Sequence, residues 1–483
     1  GTFTAEGTLD AAVARLGHLV DLGVDVVELM PLAAFPGVHG WGYDGVSPFA
    51  VHEPYGGPEA LQRFVDAAHR AGLAVCLDVV DNHLGPSGNC LMAFGPYFTD
   101  THQTPWGSAV NLDAPGSGEV RRYLVDKALR WFAEFHLDAL RLDAVHALAD
   151  DSPRHLLAEL ADEVADLAAR VGRPLSLVAE SDLNDPAMVT ATAEGGLGMT
   201  AQWADDVHHA LHAWVTGERH GYYVDFGSAA TLAHAMTRVF VHEGGWSTFR
   251  GRTWGAPVPP GTDGHRFVVF AQNHDQVGNR AVGDRPSARH STALLAVEAA
   301  AVLCSPFTPM LFMGEEWGAT TPFQYFTDHA ERELVDSIRK GRTEEFAGHG
   351  WAELYGDTPE VPDPQASRTV ADSTLDWSER EQGERARLLG WYRTLVALRR
   401  TEPELASGDL AATTAHAAPD ESWVVVGRGR LRVVLHRADA PVSVPLGGTV
   451  TEVLATWSPV VPEPGGLRLN GPGAAVVRVE EDR

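Results

Sequence analysis

Three acidic side chains, Asp143, Glu180 and Asp275, follow apolar, strand-like runs that lie far apart in the sequence. Cleavage of a glycosidic bond requires one ionised carboxylate and one protonated carboxylic acid beside the scissile bond. Parallel strands in a closed barrel bring their carboxyl ends to a single mouth, whatever their distance in sequence. The three acids are therefore candidates for this chemistry, provided that the fold brings their strand ends together.

Arg141 lies two residues before Asp143 and on the same face of the strand. A guanidinium so close lowers the pKa of a carboxylate and keeps it ionised, as a covalent mechanism requires of its nucleophile. The same pattern describes a structural Arg–Asp pair at a strand end. This segment alone leaves both interpretations open.

Two histidines, His83 and His274, also follow apolar runs and could donate hydrogen bonds to sugar hydroxyls, although each alone is compatible with a structural role. Asp78, Asn82 and His83 together offer oxygen and nitrogen ligands to a cation. The sequence has no tight histidine-rich spacing, so we predict no metal and no cofactor. It also has no phosphate-binding glycine loop and no G-x-S-x-G motif.

Strand-like and helical segments alternate along most of the chain. The strand-like segments are residues 24–30, 73–80, 137–145, 175–179, 199–203, 267–271 and 310–313. The helical segments are residues 8–22, 58–71, 119–136, 153–171, 287–303 and 384–400. This alternation, with polar residues at the strand ends, predicts a (β/α)8 TIM barrel. A doubly wound sheet would need a glycine-rich turn after its first strand, and none is present.

The predicted barrel has seven strands, so we expect that its first strand is missing. We assign residues 1–406 to the barrel, with a short loop domain at about 84–118 and an aromatic insertion at about 212–265. After residue 407, short alternating runs broken by glycine and proline predict a C-terminal β-sandwich at 407–483.

The composition excludes several classes of partner. A net charge of −28 argues against nucleic acid and against anionic membrane surfaces. No apolar run is long enough to span a membrane. The three cysteines provide no disulfide framework, which favours a cytoplasmic location. These features agree with a neutral small-molecule substrate.

Four stretches resemble the conserved regions of the α-amylase family of glycoside hydrolases: DVVDNH (78–83), ALRLDAVH (139–146), LVAES (177–181) and QNHDQVGNR (272–280). The resemblance implies that Asp143 is the nucleophile and Glu180 the general acid/base. It implies that Asp275 holds the hydroxyls of the distorted sugar. It also implies a subsite for the non-leaving sugar that consists of Tyr43, His83, Arg141 and His274.

Within this family, the stretches AESDLNDP and FMGEEWGATTPFQYFTDH resemble members that hydrolyse the α-1,4 bond joining a maltooligosaccharide to a terminal trehalose. The implied substrates are maltooligosyltrehalose and α-1,4-glucan oligosaccharides. His146, Asp182 and the segment 314–329 are the candidates for contact with the trehalose side.

The sequence departs from the family in two respects. Family members carry an N-terminal β-domain and a first barrel strand before the residue that is Gly1 here, so we expect a truncated version. Asp81 and Ser181 replace a tyrosine and an acidic residue, and we expect them to affect affinity rather than chemistry. Two alternatives remain: a glycogen branching enzyme, which transfers the glycosyl group to a sugar hydroxyl, and a catalytically inactive carbohydrate-binding protein.

Overall fold

The computed structural model describes residues 1–346, 352–355 and 360–480. The chain folds into two compact units. The first unit consists of Gly1–Trp203, Tyr325–Thr343 and Pro362–Thr374. The second unit consists of Ala204–Gln324, Glu344–Val361 and Leu375–Arg483.

The strands of the described residues are β1 (Val26–Leu29), β2 (Ala33–Ala34), β3 (Ser47–Val51), β4 (Ala74–Val79), β5 (Phe98–Thr104), β6 (Gly107–Val110), β7 (Ala139–Leu142), β8 (Ser176–Ala179), β9 (Ala201–Trp203), β10 (Gly245–Ser247), β11 (Arg252–Trp254), β12 (Phe267–Phe270), β13 (Thr308–Met310), β14 (Thr413–Ala417), β15 (Trp423–Arg428), β16 (Leu431–His436), β17 (Val442–Pro445), β18 (Thr449–Thr456), β19 (Val460–Glu463), β20 (Gly466–Leu469) and β21 (Gly473–Glu480).

The helices of the same residues are α1 (Leu9–Val13), α2 (Leu16–Leu22), α3 (Gly57–Arg70), α4 (Ser117–Glu134), α5 (Leu156–Val171), α6 (Asp205–Thr216), α7 (Ala229–Arg238), α8 (His274–Gly278), α9 (Thr292–Leu303), α10 (Arg332–Glu345), α11 (Ala352–Tyr355), α12 (Ser367–Asp372), α13 (Gly383–Thr401) and α14 (Pro403–Ala406). None of these helices is long and apolar enough to span a membrane.

The central sheet has seven strands in the order β1-β4-β7-β8-β9-β12-β13, which confirms the predicted barrel-type fold with seven strands. Strands β1 to β9 of this sheet belong to the first unit, and β12 and β13 belong to the second. Every residue of β7 and of β12 is buried, as expected of parallel strands covered on both faces. Within the described residues, β1 and β13 are the edge strands of this sheet, and no eighth strand joins them.

The helix predicted at residues 8–22 is wrong in one detail, because the structure divides it into α1 and α2. Between them, the Arg15 N–H donates to the Ala12 carbonyl at 2.9 Å, and the His18 N–H donates to the Arg15 carbonyl at 3.1 Å. These are i→i+3 bonds, which wind the backbone more tightly than an α-helix. The apolar spacing does not reveal this local change.

The last strand of the sheet also differs from the prediction. The sequence predicts a strand at 310–313, whereas β13 covers Thr308–Met310 and pairs in parallel with Val268–Phe270 of β12. Pro309 argues against a strand in a sequence analysis, since it has no N–H to donate. It is tolerated here because β13 lies at the edge of the sheet.

The predicted insertions contain regular structure. The loop domain at about 84–118 contains the antiparallel pair β5–β6, and the aromatic insertion at about 212–265 contains α7 and the pair β10–β11. The exact domain limits stay predictions.

The predicted C-terminal β-sandwich is confirmed by two antiparallel sheets, β14-β15-β16-β21-β18 and β17-β20-β19. Val434 and Val477 from the larger sheet share one buried core with Val444 and Leu467 from the smaller. The alternation of apolar and polar residues supplies this core from one face of each sheet.

Glu298 and Glu315 in the second unit are buried carboxyl groups that have no cationic hydrogen-bond partner among the residues that the structure describes. Glu298 on α9 is 2% exposed, and its Oε1 atom has no hydrogen-bond partner. Glu315 accepts hydrogen bonds from the Tyr392 hydroxyl at 3.1 Å and from the Phe312 N–H at 2.9 Å. Burial raises the pKa of Glu298 to about 8 and the pKa of Glu315 to about 8. Both groups are therefore protonated in the folded chain at neutral pH.

We expect the substitution Glu298→Gln to stabilise the chain at pH 7.5 and to have little effect at pH 4.5. The folded pKa is about 8 and the ordinary value is 4.5, so folding must protonate this group throughout that window. Below pH 4.5, Glu298 is protonated in both the folded and the unfolded chain, so its burial carries no ionisation cost. As pH rises from 4.5 towards 8, the free energy of unfolding falls by about 1.4 kcal/mol per pH unit, because only the unfolded chain releases this proton. Glutamine mimics the protonated group without this cost.

The measurement is the thermal midpoint of both proteins between pH 4.5 and 8. The control is Glu163→Gln on the exposed side of α5, which should show no pH-dependent difference. A constant difference between Glu298→Gln and the unsubstituted chain at every pH would contradict the prediction.

Candidate active site

Strand register in the first unit places the first two predicted acids side by side. Strands β7 and β8 are parallel, and Leu142 is paired with Ala179. Asp143 and Glu180 are the next residue on each strand, and the Glu180 N–H donates to the Leu142 carbonyl at 3.0 Å. The sheet thus brings together two carboxylates that the sequence separates by 37 positions.

Arg141 is the centre of this arrangement. Its guanidinium is fully buried and lies 2.7 Å from Asp78, 2.9 Å from Asp143 and 2.8 Å from Glu180. Because one planar guanidinium contacts both Asp143 and Glu180, the contacting oxygens of these two acids lie no more than about 8 Å apart. This upper bound is compatible with the spacing of about 5 to 5.5 Å between the two carboxyl groups of retaining glycosidases.

The turn after Asp143 orients Glu180. Ala144 adopts a left-handed conformation with a φ of 38°, which is unusual for a residue other than glycine. In this conformation its N–H donates to Glu180 Oε2 at 2.7 Å. The Val145 N–H donates to the Glu180 carbonyl at 3.0 Å. The strained turn therefore fixes both the backbone and the side chain of Glu180.

Asp78 and Tyr43 continue the network from β4. The Tyr43 hydroxyl donates to Asp78 Oδ2 at 2.7 Å, and it also lies 3.4 Å from Arg141 Nη1. Burial raises the pKa of Asp78 to about 7, although the Arg141 guanidinium opposes this shift. Conversely, Asp78 and Glu180 raise the pKa of Arg141 against the effect of its burial, so this guanidinium stays charged.

Asn82 and His83 follow β4 and contact the same group. The Asn82 amide donates to the backbone carbonyl of Asp143 at 2.8 Å and to its Oδ2 atom at 3.0 Å. His83 Nε2 donates to the Tyr43 carbonyl at 3.0 Å, and burial lowers the pKa of this imidazole. The indole of Trp106 stacks on His83 with ring centroids 4.5 Å apart.

Sequence reasoning missed three of these neighbours. It considered Asn82 only as a metal ligand, whereas its amide binds Asp143. It did not assign Trp106, or Trp203 of β9, whose ring lies 4.4 Å from the Arg141 guanidinium carbon. A cation over an indole face is stabilised by the ring quadrupole. No local sequence pattern marks either tryptophan, since the contacts depend on strand order.

Two of the predicted trehalose-side residues, His146 and Asp182, lie close together. His146 Nδ1 is 3.8 Å from Asp182 Oδ1, and both side chains are partly exposed. Ser181, one of the two departures, accepts a hydrogen bond from the Leu183 N–H at 3.3 Å. The other departure, Asp81, forms a buried ion pair with Lys127 of α4.

Most of the atoms considered for a metal have protein partners: Asp78 Oδ2 accepts from the Tyr43 hydroxyl and from Arg141, Asn82 Oδ1 is hydrogen-bonded to His83 Nδ1, and His83 Nε2 donates to the Tyr43 carbonyl. Asp78 Oδ1 is buried without a hydrogen-bond partner among the described residues. Elsewhere in the described residues, ligand atoms of His102, Asp113 and Asp151 lie within 4.8 Å of one another. His102 Nε2 is hydrogen-bonded to Asp113 Oδ2 at 2.8 Å, so these side chains already satisfy each other.

The third predicted acid belongs to the second unit. Asp275 lies in the first turn of α8, after β12, and the Asn273 side chain caps this helix by accepting from the Gln276 N–H at 2.7 Å. His274 Nε2 lies 3.3 Å from Asp275 Oδ2. The His274 side chain is buried, whereas Asp275 is 31% exposed. Asp275 is thus a carboxylate that contacts a buried imidazole while part of its own side chain remains accessible to solvent.

Comparison with known proteins points to one family. The model of the alpha amylase catalytic domain matches residues 1–92. Malto-oligosyltrehalose trehalohydrolase of Arthrobacter ramosus is 55% identical over 480 residues, covering 99% of this chain and 81% of the relative. The enzyme of the same name from Mycobacterium tuberculosis is 50% identical over 465 residues, covering 95% of this chain and 78% of the relative.

A solved structure supports the same assignment. A Salmonella typhimurium protein, provisionally named as an alpha amylase, has a TM-score of 0.88 and 38% identity, and the match covers 100% of this chain and 80% of that chain. This chain therefore spans about four fifths of the proteins it matches. At this identity and coverage, the chain belongs to the malto-oligosyltrehalose trehalohydrolases of the alpha amylase family.

Proposed function

We propose that this chain is a retaining glycoside hydrolase that cleaves the α-1,4 bond next to the terminal trehalose of maltooligosyltrehalose and releases trehalose. The observation that carries the proposal is the single buried guanidinium of Arg141, which holds Asp143 and Glu180 at one place. The family membership supports the same chemistry and the same substrate.

The reaction has two steps. Asp143 attacks the anomeric carbon while protonated Glu180 donates its proton to the leaving oxygen, so trehalose departs and a covalent glycosyl–enzyme forms. Ionised Glu180 then takes a proton from water, which attacks the same carbon and releases the maltooligosaccharide. Asp143 is regenerated as a carboxylate and Glu180 as an acid, so the enzyme is unchanged.

The contacts of Asp143 suit a nucleophile that must be ionised. Arg141 supplies a positive charge at 2.9 Å, and Asn82 donates a hydrogen bond at 3.0 Å. Both interactions favour the charged form of a carboxylate. In the second step the bond between Asp143 and the anomeric carbon breaks, and Asp143 leaves as a carboxylate. The same two interactions favour this ionised leaving group.

We assign the remaining predicted residues to binding. Asp275 holds hydroxyls of the distorted sugar, and Tyr43, His83, Arg141 and His274 line the subsite of the non-leaving sugar. His146 and Asp182 contact the trehalose side, where their partly exposed polar atoms are accessible to hydroxyl groups.

We further propose a cytoplasmic location. All three cysteines are free thiols, and Cys90 is exposed. An exposed thiol persists in a reducing compartment and is oxidised more readily outside it.

The substitution Glu180→Gln should lower kcat at least about 10²-fold, because an amide cannot donate the proton that the leaving oxygen requires. The measurement is release of trehalose from maltotriosyltrehalose, with circular dichroism to confirm folding. Glu163→Gln on the exposed face of α5 is the matched control and should keep the full rate. Full activity of Glu180→Gln would remove Glu180 from the mechanism.

The substrate assignment predicts a strong preference for a chain that ends in trehalose. Maltotriosyltrehalose should be hydrolysed with a kcat/KM at least about 10-fold above that of maltopentaose, because the hydrogen bonds proposed from His146 and Asp182 to the second sugar of trehalose are lost with maltose. Asp182→Asn should reduce this ratio more than it reduces kcat on maltopentaose.

The measurement is the initial rate with each substrate, followed by analysis of the product linkages. Equal rates would contradict trehalose selectivity. New α-1,6 linkages formed from amylose would favour the branching-enzyme alternative, and folded protein without turnover would favour a binding protein.

A further inference from the structure

Asp275 is carried by α8, a helix of five residues in the second unit. A helix this short has little stability of its own, because a single turn barely offsets its nucleation cost. Its position must therefore come from tertiary contacts. Several of these contacts arise from buried polar side chains that the proposed mechanism does not use.

The strongest contact lies two residues after the helix. Arg280 Nη1 donates to Glu218 Oε2 at 2.9 Å, and Arg280 Nη2 donates to Glu218 Oε1 at 3.0 Å. Both side chains are at least nine-tenths buried. The two parallel bonds form a fork that fixes orientation as well as distance. Although burial opposes it, hydrogen bonds from His212 and Arg280 lower the pKa of Glu218, so this carboxylate is ionised.

A second set of contacts reaches α8 from the same direction. His212 and His208 are one turn apart on α6, and His212 Nε2 lies 2.9 Å from Glu218 Oε2. His208 Nε2 lies 3.1 Å from the Tyr223 hydroxyl, and the neighbouring Tyr222 hydroxyl donates to Gln276 Oε1 at 3.1 Å. The segment after α6 thus contacts Gln276 within α8, through Tyr222 and Tyr223, and Arg280 beyond its end, through Glu218. His208 and His212 of α6 hold Tyr223 and Glu218 from behind.

Asn279 connects the Glu218–Arg280 fork to the acid itself. The Asn279 side chain donates to Asp275 Oδ1 at 3.3 Å, and its backbone N–H donates to the Asp275 carbonyl at 2.9 Å. Because Asn279 directly precedes Arg280, a shift of the Arg280 side chain moves the residue that orients the Asp275 carboxylate. Arg280 also pairs with Asp284, at 3.2 Å, and would be drawn towards it if Glu218 were neutral.

We propose that Glu218 is a positioning residue for Asp275, acting through its two hydrogen bonds to Arg280 and through Asn279. This inference rests on the proposed role of Asp275 in binding the distorted sugar. Glu218 does not touch the substrate in this proposal. Its contribution is to fix the position and orientation of α8, so that the Asp275 carboxylate is held where it can bind the sugar hydroxyls.

The substitution Glu218→Gln should lower kcat/KM for maltotriosyltrehalose about 10- to 100-fold, because a small displacement of a group that contacts the transition state is costly. Arg280→Lys keeps the charge but loses the fork, and should show a loss of the same order. The matched control is Glu404→Gln, which removes the charge of an ion-paired glutamate from the partners Arg430 and Arg478, and it should leave kcat/KM unchanged.

The deciding experiment repeats both substitutions in an Asp275→Asn background, using long incubations at high enzyme concentration. If Glu218 acts through Asp275, Glu218→Gln should then cost no more than about 2-fold, since coupled residues are non-additive. A further 10-fold loss in that background, or an unchanged kcat/KM for folded Glu218→Gln in the unsubstituted chain, would overturn the proposal.

Failure of the proposed function gives a different result, because the unsubstituted chain would then release no trehalose from maltotriosyltrehalose. Failure of the proposed role of Asp275 alone would leave Asp275→Asn with full activity. Thermal midpoints are measured for every variant. Should Glu218→Gln fail to fold, Arg280→Lys decides the question by the same two comparisons.

Discussion

The buried guanidinium of Arg141 is the constraint on which the proposed site depends. A charge removed from water is costly unless it is paired. Here Asp78, Asp143 and Glu180 each place a carboxyl oxygen within 2.9 Å of the guanidinium nitrogens. These partners come from three successive strands of the sheet, so the pairing holds only in one register of β4, β7 and β8. A slip of one residue would turn Arg141 to the other face of the sheet. The same strand register therefore both pairs the buried charge of Arg141 and places the proposed nucleophile and acid side by side.

Much of this arrangement follows from the sequence. Parallel strands are covered on both faces, so they appear as continuous apolar runs, and the polar residue at the end of each run marks the mouth of the sheet. This reasoning places Asp143 and Glu180 together without any knowledge of distance. It fails where the local pattern gives no signal. The strand predicted at 310–313 begins earlier, at Thr308, because Pro309 argues against a strand there, and the predicted helix at 8–22 is interrupted near Arg15.

Sequence reasoning also fails for partners that are selected by strand order alone. Trp203 contacts Arg141 from two strands away, and nothing in its neighbourhood distinguishes it from a core residue. The supports of Asp275 are hidden for the same reason. Glu218 and Arg280 are 62 positions apart, and each by itself is typical of a solvated surface. In the folded chain they are buried together and joined by two parallel hydrogen bonds. Their burial depends on the whole fold, so neither local segment reveals it.

Asp81, which stands where a tyrosine is expected, forms a long-range ion pair that compensates its buried charge locally. An ionised carboxylate at this buried position requires a cation, and Lys127 of α4, itself 1% exposed, provides it. The charge is thus compensated on the helix side of β4, one residue before Asn82. Asn82 donates two hydrogen bonds to Asp143, and Arg141 donates to it as well. Because Asn82 and Arg141 still contact Asp143 beside the Asp81–Lys127 pair, we expect Asp81 to affect substrate affinity rather than the attacking carboxylate.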